Sequence, residues 1–260
     1  MSDVVKPVLF YVVIFLANIM QAITGFAGTV LAMPFSIVLV GSETARTVLN
    51  LLGIAASIGV VAINFRKIRW KEVLKICLIM LVGMAIGYVI IAFVPVPKQI
   101  LYYVLAAFVL VFTAIGFYTT FFQKEKPEKN ASVLSEILLL ALLVVAGIVH
   151  GMFVCGGPLL VLYATKKLKE RDEFRATLSM SWIVLNTTNL LHDVFTGKFV
   201  FGDVTHTLTV LGISLAVLIV AILVGNAVAK KLNKKAFLLV TYILMAISAV
   251  SLILNAVGII

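Results

Sequence analysis

From Glu136 to Lys166 the chain runs without a formally charged side chain, and in the middle of that run stands HGMFVCGGP, residues 150–158. A segment apolar enough to enter a bilayer is interrupted there by the residues that stop helices. Gly reaches backbone conformations closed to other residues, and Pro lacks the N–H that an interior helical turn needs. Irregular backbone at membrane depth is tolerated only where protein buries it or where it lines a polar cavity. The interruption therefore requires surrounding protein, and we place the break at Cys155-Gly156-Gly157-Pro158.

The rest of the chain supplies that protein. Hydrophobic residues make up 63% of 260 positions and charged residues 12%, against about 25% charged in soluble domains. About 20 apolar residues are needed per crossing helix. Eight stretches meet or approach that length: Val8 to Val38, Thr47 to Ile63, Val73 to Val94, Ile100 to Phe122, Val133 to Tyr163, Ala176 to Leu191, Thr207 to Ala229 and Ala236 to Ile260. The expected class is an all-α polytopic membrane protein, multi-pass in the cell (inner or plasma) membrane, with no soluble domain. The first stretch is too long for a cleaved signal and follows a nearly neutral start. Cys77 and Cys155 both fall in apolar stretches with no ligand or redox spacing around them, so neither a metal nor a disulfide is expected, and no cofactor. The net charge of +10 lies in short loops and not on a patch, which points to topology and away from nucleic acid.

If each stretch crossed once, the 21 Lys and Arg would divide 10 to 11 between the two faces, with no positive-inside bias. If the first and fifth stretches, the two longest, instead enter and return on one side, 17 lie inside. Only Lys6, Arg46, Lys98 and Lys198 remain outside. A shift of 129 residues then places Gln21 on His150, Gly28 on Gly157, Arg46 on Arg175, Asn64 on Asp193 and Gly83 on Gly212. Each half becomes one Gly-interrupted, re-entrant segment plus three crossings, and an odd number of crossings inverts the second half. The boundaries read 1–122 for the first membrane repeat, 123–132 for a polar linker and 133–260 for the second repeat. Inverted repeats with interrupted helices are a recurrent plan of secondary transporters, whose substrates bind where the breaks meet.

GIVHGMFVCGGPLLVLYATKKLKERDEFRATLSMSWIVLN (residues 147–186), GFAGTVLAMPFSIVL (25–39) and NFRKIRWKEVL (64–74) resemble the TauE/SafE family of sulfite-exporter-like permeases. The resemblance lies in the Gly-Gly-Pro turn, the Arg-Ala-Thr-Leu helix start, and the basic loop closed by an aromatic, in that order. Two departures are a thin first cluster, Gly25 and Gly28 around Ala27, and Cys155 where a small residue is common. The resemblance implies export or uptake of sulfite, a sulfonate, thiosulfate or a related sulfur anion.

The residues suit an anion in a particular way. With no charged side chain in the middle of any stretch, the ligand would be held by helix N-termini and neutral donors. The candidate substrate-binding residues are Gln21, Thr24, Gly25, Gly28, Thr29, Asn50, His150, Cys155, Gly156, Gly157, Ser179 and Ser181. Arg46 and Arg175 are expected at the two mouths, attracting anions and pairing with a carboxylate such as Glu43 or Asp172 when closed. Against these stand simpler roles: His150 as a polar residue satisfied by a neighbouring helix and Cys155 as packing; the polar run Asn186 to Asn189 reads equally as interhelix hydrogen bonding or as lining of the permeation path. The function expected is a permease working by alternating access, with a small anion and lipid as partners. An anion channel or a non-transporting scaffold are the alternatives, and homo-oligomerisation is left open. An enzyme is not expected, since His150, His192 and His206 form no ligand or nucleophile grouping. Proton coupling would use His150 or the substrate itself.

Overall fold

Backbone polar groups in an apolar layer must be satisfied within the segment, which makes each long apolar stretch a helix. The computed structural model describes residues 5–24, 27–94, 97–122, 133–168, 170–197, 204–229 and 234–258. Among them the chain forms α1 (Val5–Thr24), α2 (Ala27–Val40), α3 (Ser42–Asn64), a 3-10 turn (Phe65–Lys67), α4 (Trp70–Phe93), α5 (Lys98–Phe121), α6 (Val133–Phe153), α7 (Gly157–Lys167), α8 (Arg171–Phe195), α9 (Val204–Ala229) and α10 (Lys234–Val257). No strand occurs among the described residues. Among the described residues five segments are long and apolar enough to cross a membrane: Val5–Ala22, Ser42–Lys67, Trp70–Phe93, Gln99–Thr119 and Leu134–Phe153. The linker at 123–132 lies outside the described residues.

The first and fifth apolar stretches are each divided in two, and the second part packs back along the first, α2 on α1 and α7 on α6. Lys167, at the end of α7, pairs with Glu136 in the first turn of α6, so this stretch ends where it began. At 1.5 Å per residue the 21 residues of α6 reach roughly 30 Å, a full hydrocarbon layer, whereas the 11 residues of α7 reach about 16 Å. The N-terminus of α7 is therefore left at mid-depth.

The second break is not made as the glycines suggested. Its left-handed residue is Val154 (φ 57°), while Gly156 adopts an ordinary right-handed conformation (φ −69°, ψ −4°). A β-branched residue held there costs of order 1–2 kcal/mol. Gly156 is needed for space instead: a Cβ on it would overlap the Ala146 carbonyl and approach the Cβ of His150 to 2.8 Å. Pro158 then starts α7, where its missing N–H has no intrahelical partner to lose.

Small residues set the closest helix crossings. Gly83 and Gly87 of α4 face Gly147 and Gly151 of α6, and a Cβ on Gly83 or Gly147 would run into the backbone carbonyl opposite, of Val144 or Met80. Such reciprocal Gly-x-x-x-Gly contact lets two backbones touch where no hydrophobic force draws helices together. Gly225 of α9 meets Ala22 and Ile19 of α1 in the same manner. The α5–α10 and α3–α8 pairs are the other large crossings, and α3 runs antiparallel to α8, with Arg46 beside Asp193 at one end and Arg69, just past the 3-10 turn, beside Glu173 at the other.

Gly147→Leu should cost about 3 kcal/mol, the top of the range for overpacking because the atoms it strikes are backbone. Gly59→Leu, where nothing lies within 4 Å, should be tolerated. Size-exclusion profiles in detergent check this: loss of the monodisperse peak for the first variant and retention for the second.

Candidate functional site

A helix that ends inside a protein leaves its last carbonyls without partners. For α6 these are met from other elements. The His150 carbonyl accepts from the Val154 N–H at 2.8 Å and from Asn189 Nδ2 at 3.2 Å. The Gly151 and Met152 carbonyls accept from Arg46 Nη1 at 2.8 and 2.7 Å. The guanidinium thus lies at the negative end of a helix dipole, a favourable place for a cation. Its remaining nitrogens reach α8: Nε donates to Asp193 Oδ2 at 2.7 Å and Nη2 to Asn189 Oδ1 at 3.0 Å. Tyr88 of α4 donates to the same Asn189 oxygen at 2.6 Å, and its ring stacks on His192 at 3.7 Å between centroids. One cluster therefore ties α3, α4, α6 and α8 together and closes this end of the molecule.

The carboxylate expected for Arg46 was Glu43, which is exposed; the partner is Asp193, 2% exposed. The sixth apolar stretch ends at Leu191 by composition, but α8 continues to Phe195 and carries Asp193 inward.

Between the two breaks lies a cavity of about 20 Å³, lined by Gln21, Thr29, Val30, Gly53, Ser57, His150, Val154, Gly157, Trp182 and Asn186. It has room for one water and not for an oxyanion. Among the described residues no well-aligned hydrogen bond reaches either ring nitrogen of His150 or Asn186 Oδ1, although these residues are 1% and 5% exposed and their side chains lie close to one another. Buried polar atoms left open in this way cost free energy unless something occupies the space beside them. The cap residue of α7 is Gly156, which has no side chain to cap the helix N-terminus, and that end opens onto the same cavity through Gly157.

A second, larger cavity of about 380 Å³ adjoins it and shares Gln21, Ser57 and Trp182 with it. This vestibule runs toward the Arg69 end, lined there by Gly59, Val60, Ile63, Asn64, Asp172 and Arg175, with Gly59, Ile63 and Asp172 exposed. Trp182 leans on His150 at 5.2 Å, so Trp182, Gln21 and Ser57 form the partition between vestibule and central cavity. Beyond the vestibule Glu173 pairs with Arg69 at 2.9 Å and pushes the guanidinium pKa up. The molecule is closed at the Arg46 end and hollow toward the other.

Of the candidate residues, Gln21, Thr29, His150 and Gly157 line the central cavity, and Gln21, Ser179 and Arg175 line the vestibule. Gly28 packs beneath Gln21, whose carboxamide a Cβ would overlap. Asn50 Nδ2 donates to the Asn186 carbonyl at 3.0 Å, and Ser181 Oγ donates to the Thr177 carbonyl of its own helix at 2.9 Å; neither lines a cavity. Cys155 is fully buried with its sulfur 3.9 Å from the Thr29 carbonyl, at the contact of α7 with α2. Gly25 and the side chain of Thr24 lie outside the described residues. The sequence alone did not single out Asn18, Ser57 and Trp182 as lining residues, nor Asp193 and Tyr88 as members of the Arg46 cluster. For Asn189 the signal was the polar run at 186–189.

Compared with known families, residues 10–252 match the family described as Sulfite exporter TauE/SafE. No match was found among curated proteins or among solved structures.

Removing one member of a buried ion pair strands the other. Arg46→Met or Asp193→Ala alone should each lower unfolding stability by about 3 kcal/mol. The double variant should lose less than the two losses added. Thermal unfolding of the four proteins in one detergent checks this; strict additivity would show that Arg46 and Asp193 do not act as a pair.

Proposed function

We propose that the chain, which belongs to the sulfite exporter TauE/SafE family, carries a small sulfur-containing anion across the cell membrane by alternating access. Its binding position is the cavity between the two helix breaks. The observation that carries this reading is the set of open polar atoms there: both nitrogens of buried His150 and Oδ1 of Asn186, beside the uncapped N-terminus of α7. Donors from a helix end, an imidazole N–H, Gln21 and Thr29 bind an oxyanion without a full countercharge. Binding of that kind holds an ion weakly enough to release it. The cavity at 20 Å³ is contracted, and the anion enters from the vestibule when Trp182 and Gln21 withdraw.

The two-repeat reading is supported by how the helices pair. Under the 129-residue shift α1, α2, α3, α4 and α5 correspond to α6, α7, α8, α9 and α10. The contacts follow that exchange: α4 packs on α6 as α9 packs on α1, while α3–α8, α5–α10 and α2–α7 pair with their own counterparts. If the vestibule opens on the side of the four basic loops that hold 17 of the 21 Lys and Arg, the positive-inside bias assigns it to the cytoplasm and the Arg46 end to the outside. A continuous pore is not favoured, because the Arg46 cluster closes one end while the other is hollow.

Uptake or efflux by proteoliposomes offered sulfite, thiosulfate, sulfate and a small sulfonate, with and without a proton gradient, tests the function. His150→Leu should weaken apparent affinity by ~10–100-fold, the worth of one or two hydrogen bonds to a charged group, with insertion intact. Normal transport of all four anions by the variant would remove the central cavity from the mechanism.

Topology is tested separately. In a chain without Cys77 and Cys155, an impermeant thiol reagent applied outside should modify Glu43→Cys and not Lys166→Cys. Labelling of both from one side would overturn the folding-back of the first and fifth segments.

A further inference from the structure

Donors and acceptors in the lining of the central cavity do not balance around His150 and Asn186. The two side chains lie close together, and among the described residues no well-aligned hydrogen bond reaches either imidazole nitrogen or Asn186 Oδ1. No carboxylate lines the cavity to hold an imidazolium, so the ring is neutral and brings one N–H and one bare nitrogen. With the N–H turned to Asn186 Oδ1, the other ring nitrogen is an acceptor without a donor. With it turned away, the amide oxygen and a ring nitrogen are both left. Turning the amide over moves the oxygen to the Gly53 side, where a Cβ would stand 2.7 Å from Nδ2, and makes that oxygen the one left. Every arrangement leaves at least one acceptor at the cavity without a donor. A water, for which there is room, can serve it. An anion that enters displaces any water and must serve it instead.

We propose that the cargo brings its own hydrogen-bond donor: the site takes a singly charged sulfur oxyanion that carries an O–H or N–H, such as hydrogensulfite, in preference to one that offers acceptors alone. The proposal rests on the anion-permease reading above and narrows its substrate class. Charge points the same way. No Lys or Arg lines the central cavity, and Arg46 is committed to Asp193 and to the α6 carbonyls. A second negative charge on the cargo would find only dipoles there, in a place poor in water. A sulfite that keeps one proton meets both demands. Its bare oxygens take the donors of Gln21, Thr29 and the α7 N-terminus, and its O–H serves the open acceptor. The proton then travels on the cargo, and no carboxylate of the protein is needed to carry it. A sulfonate with a methyl group in place of the O–H would press carbon against that acceptor and leave it unmet, the situation in which a buried polar group discriminates most strongly.

Sulfamate and methanesulfonate separate this requirement from size and charge. Both are monoanions, tetrahedral at sulfur and of similar volume, and they differ in an NH2 against a CH3. Thermal unfolding of the whole protein in detergent, followed while each is titrated, gives their dissociation constants. Sulfamate should bind about tenfold or more tightly than methanesulfonate, the effect of one buried acceptor met or unmet. Sulfite should bind more weakly as pH rises past neutrality and its last proton is lost, a change that sulfamate does not show. The preference for sulfamate should shrink in His150→Leu or in Asn186→Leu, whichever removes the open acceptor. Should neither variant fold, the comparison of the two anions on the unaltered protein still decides. Equal binding of sulfamate and methanesulfonate, or the reverse order, overturns the proposal, as does a preference unchanged in both variants. Equal binding would leave the anion site itself standing, whereas binding of none of the three anions removes that site and this proposal with it, so the two failures are told apart.

Discussion

Everything at one end of this molecule depends on how the last carbonyls of α6 are satisfied. A helix that stops within the protein presents a concentration of negative dipole to a medium with little water. Arg46 answers both the hydrogen bonds and the dipole, through Gly151 and Met152. A lone guanidinium there would itself be a charge in need of a partner, so Asp193 follows from Arg46 as Arg46 follows from the break. Because the three groups sit on α6, α3 and α8, satisfying one helix end determines where two other helices stand.

The same arrangement frees the other side of the break. With the end of α6 held by Arg46, Val154 can be kept in its left-handed conformation, and the chain drops to start α7 at mid-depth. The N-terminus produced there has N–H groups that no side chain caps. Close crossing at Gly83, Gly87, Gly147 and Gly151 keeps α6 rigid against α4, so the strain at Val154 is not relieved by movement of the helix. One helix end is satisfied and the adjacent one is left open, and the open one faces the central cavity.

Both interruptions were legible, because Gly, Pro and polar residues gathered inside a long uncharged run mark the place where a membrane helix breaks or a polar cavity is lined. So was much of the cavity lining: Gln21, Thr29, His150 and Gly157 stand beside the breaks in the sequence itself. The partner of Arg46 was not. Asp193 lies 147 residues away, three residues before a Gly-containing loop, and a carboxylate at the margin of an apolar stretch reads as solvated. Trp182 was hidden for the opposite reason, since an aromatic residue in an apolar helix carries no sign of which face it takes. The role of Gly156 was misread because a glycine can be required for its backbone freedom or for its missing Cβ. Only the surrounding atoms, here Ala146 and His150, separate the two.

The proposed anion site has no resident cation, and that bears on the transport we propose for it. Carrying an ion through a low-dielectric layer needs compensation, yet a buried guanidinium at the site would hold its ligand too firmly and would itself require a countercharge in the empty state. Neutral donors and a helix end avoid both problems, at the cost of leaving polar atoms open when nothing is bound. That cost is reduced by contraction: at about 20 Å³ the cavity shelters His150 and Asn186 behind Trp182 and still admits a water. The full charges stand away from it, Arg46 in the closed cluster and Arg175 in the lining of the vestibule. In the permease proposed above, weak holding in the middle falls to dipoles and neutral donors, and closure of the Arg46 end to full charges.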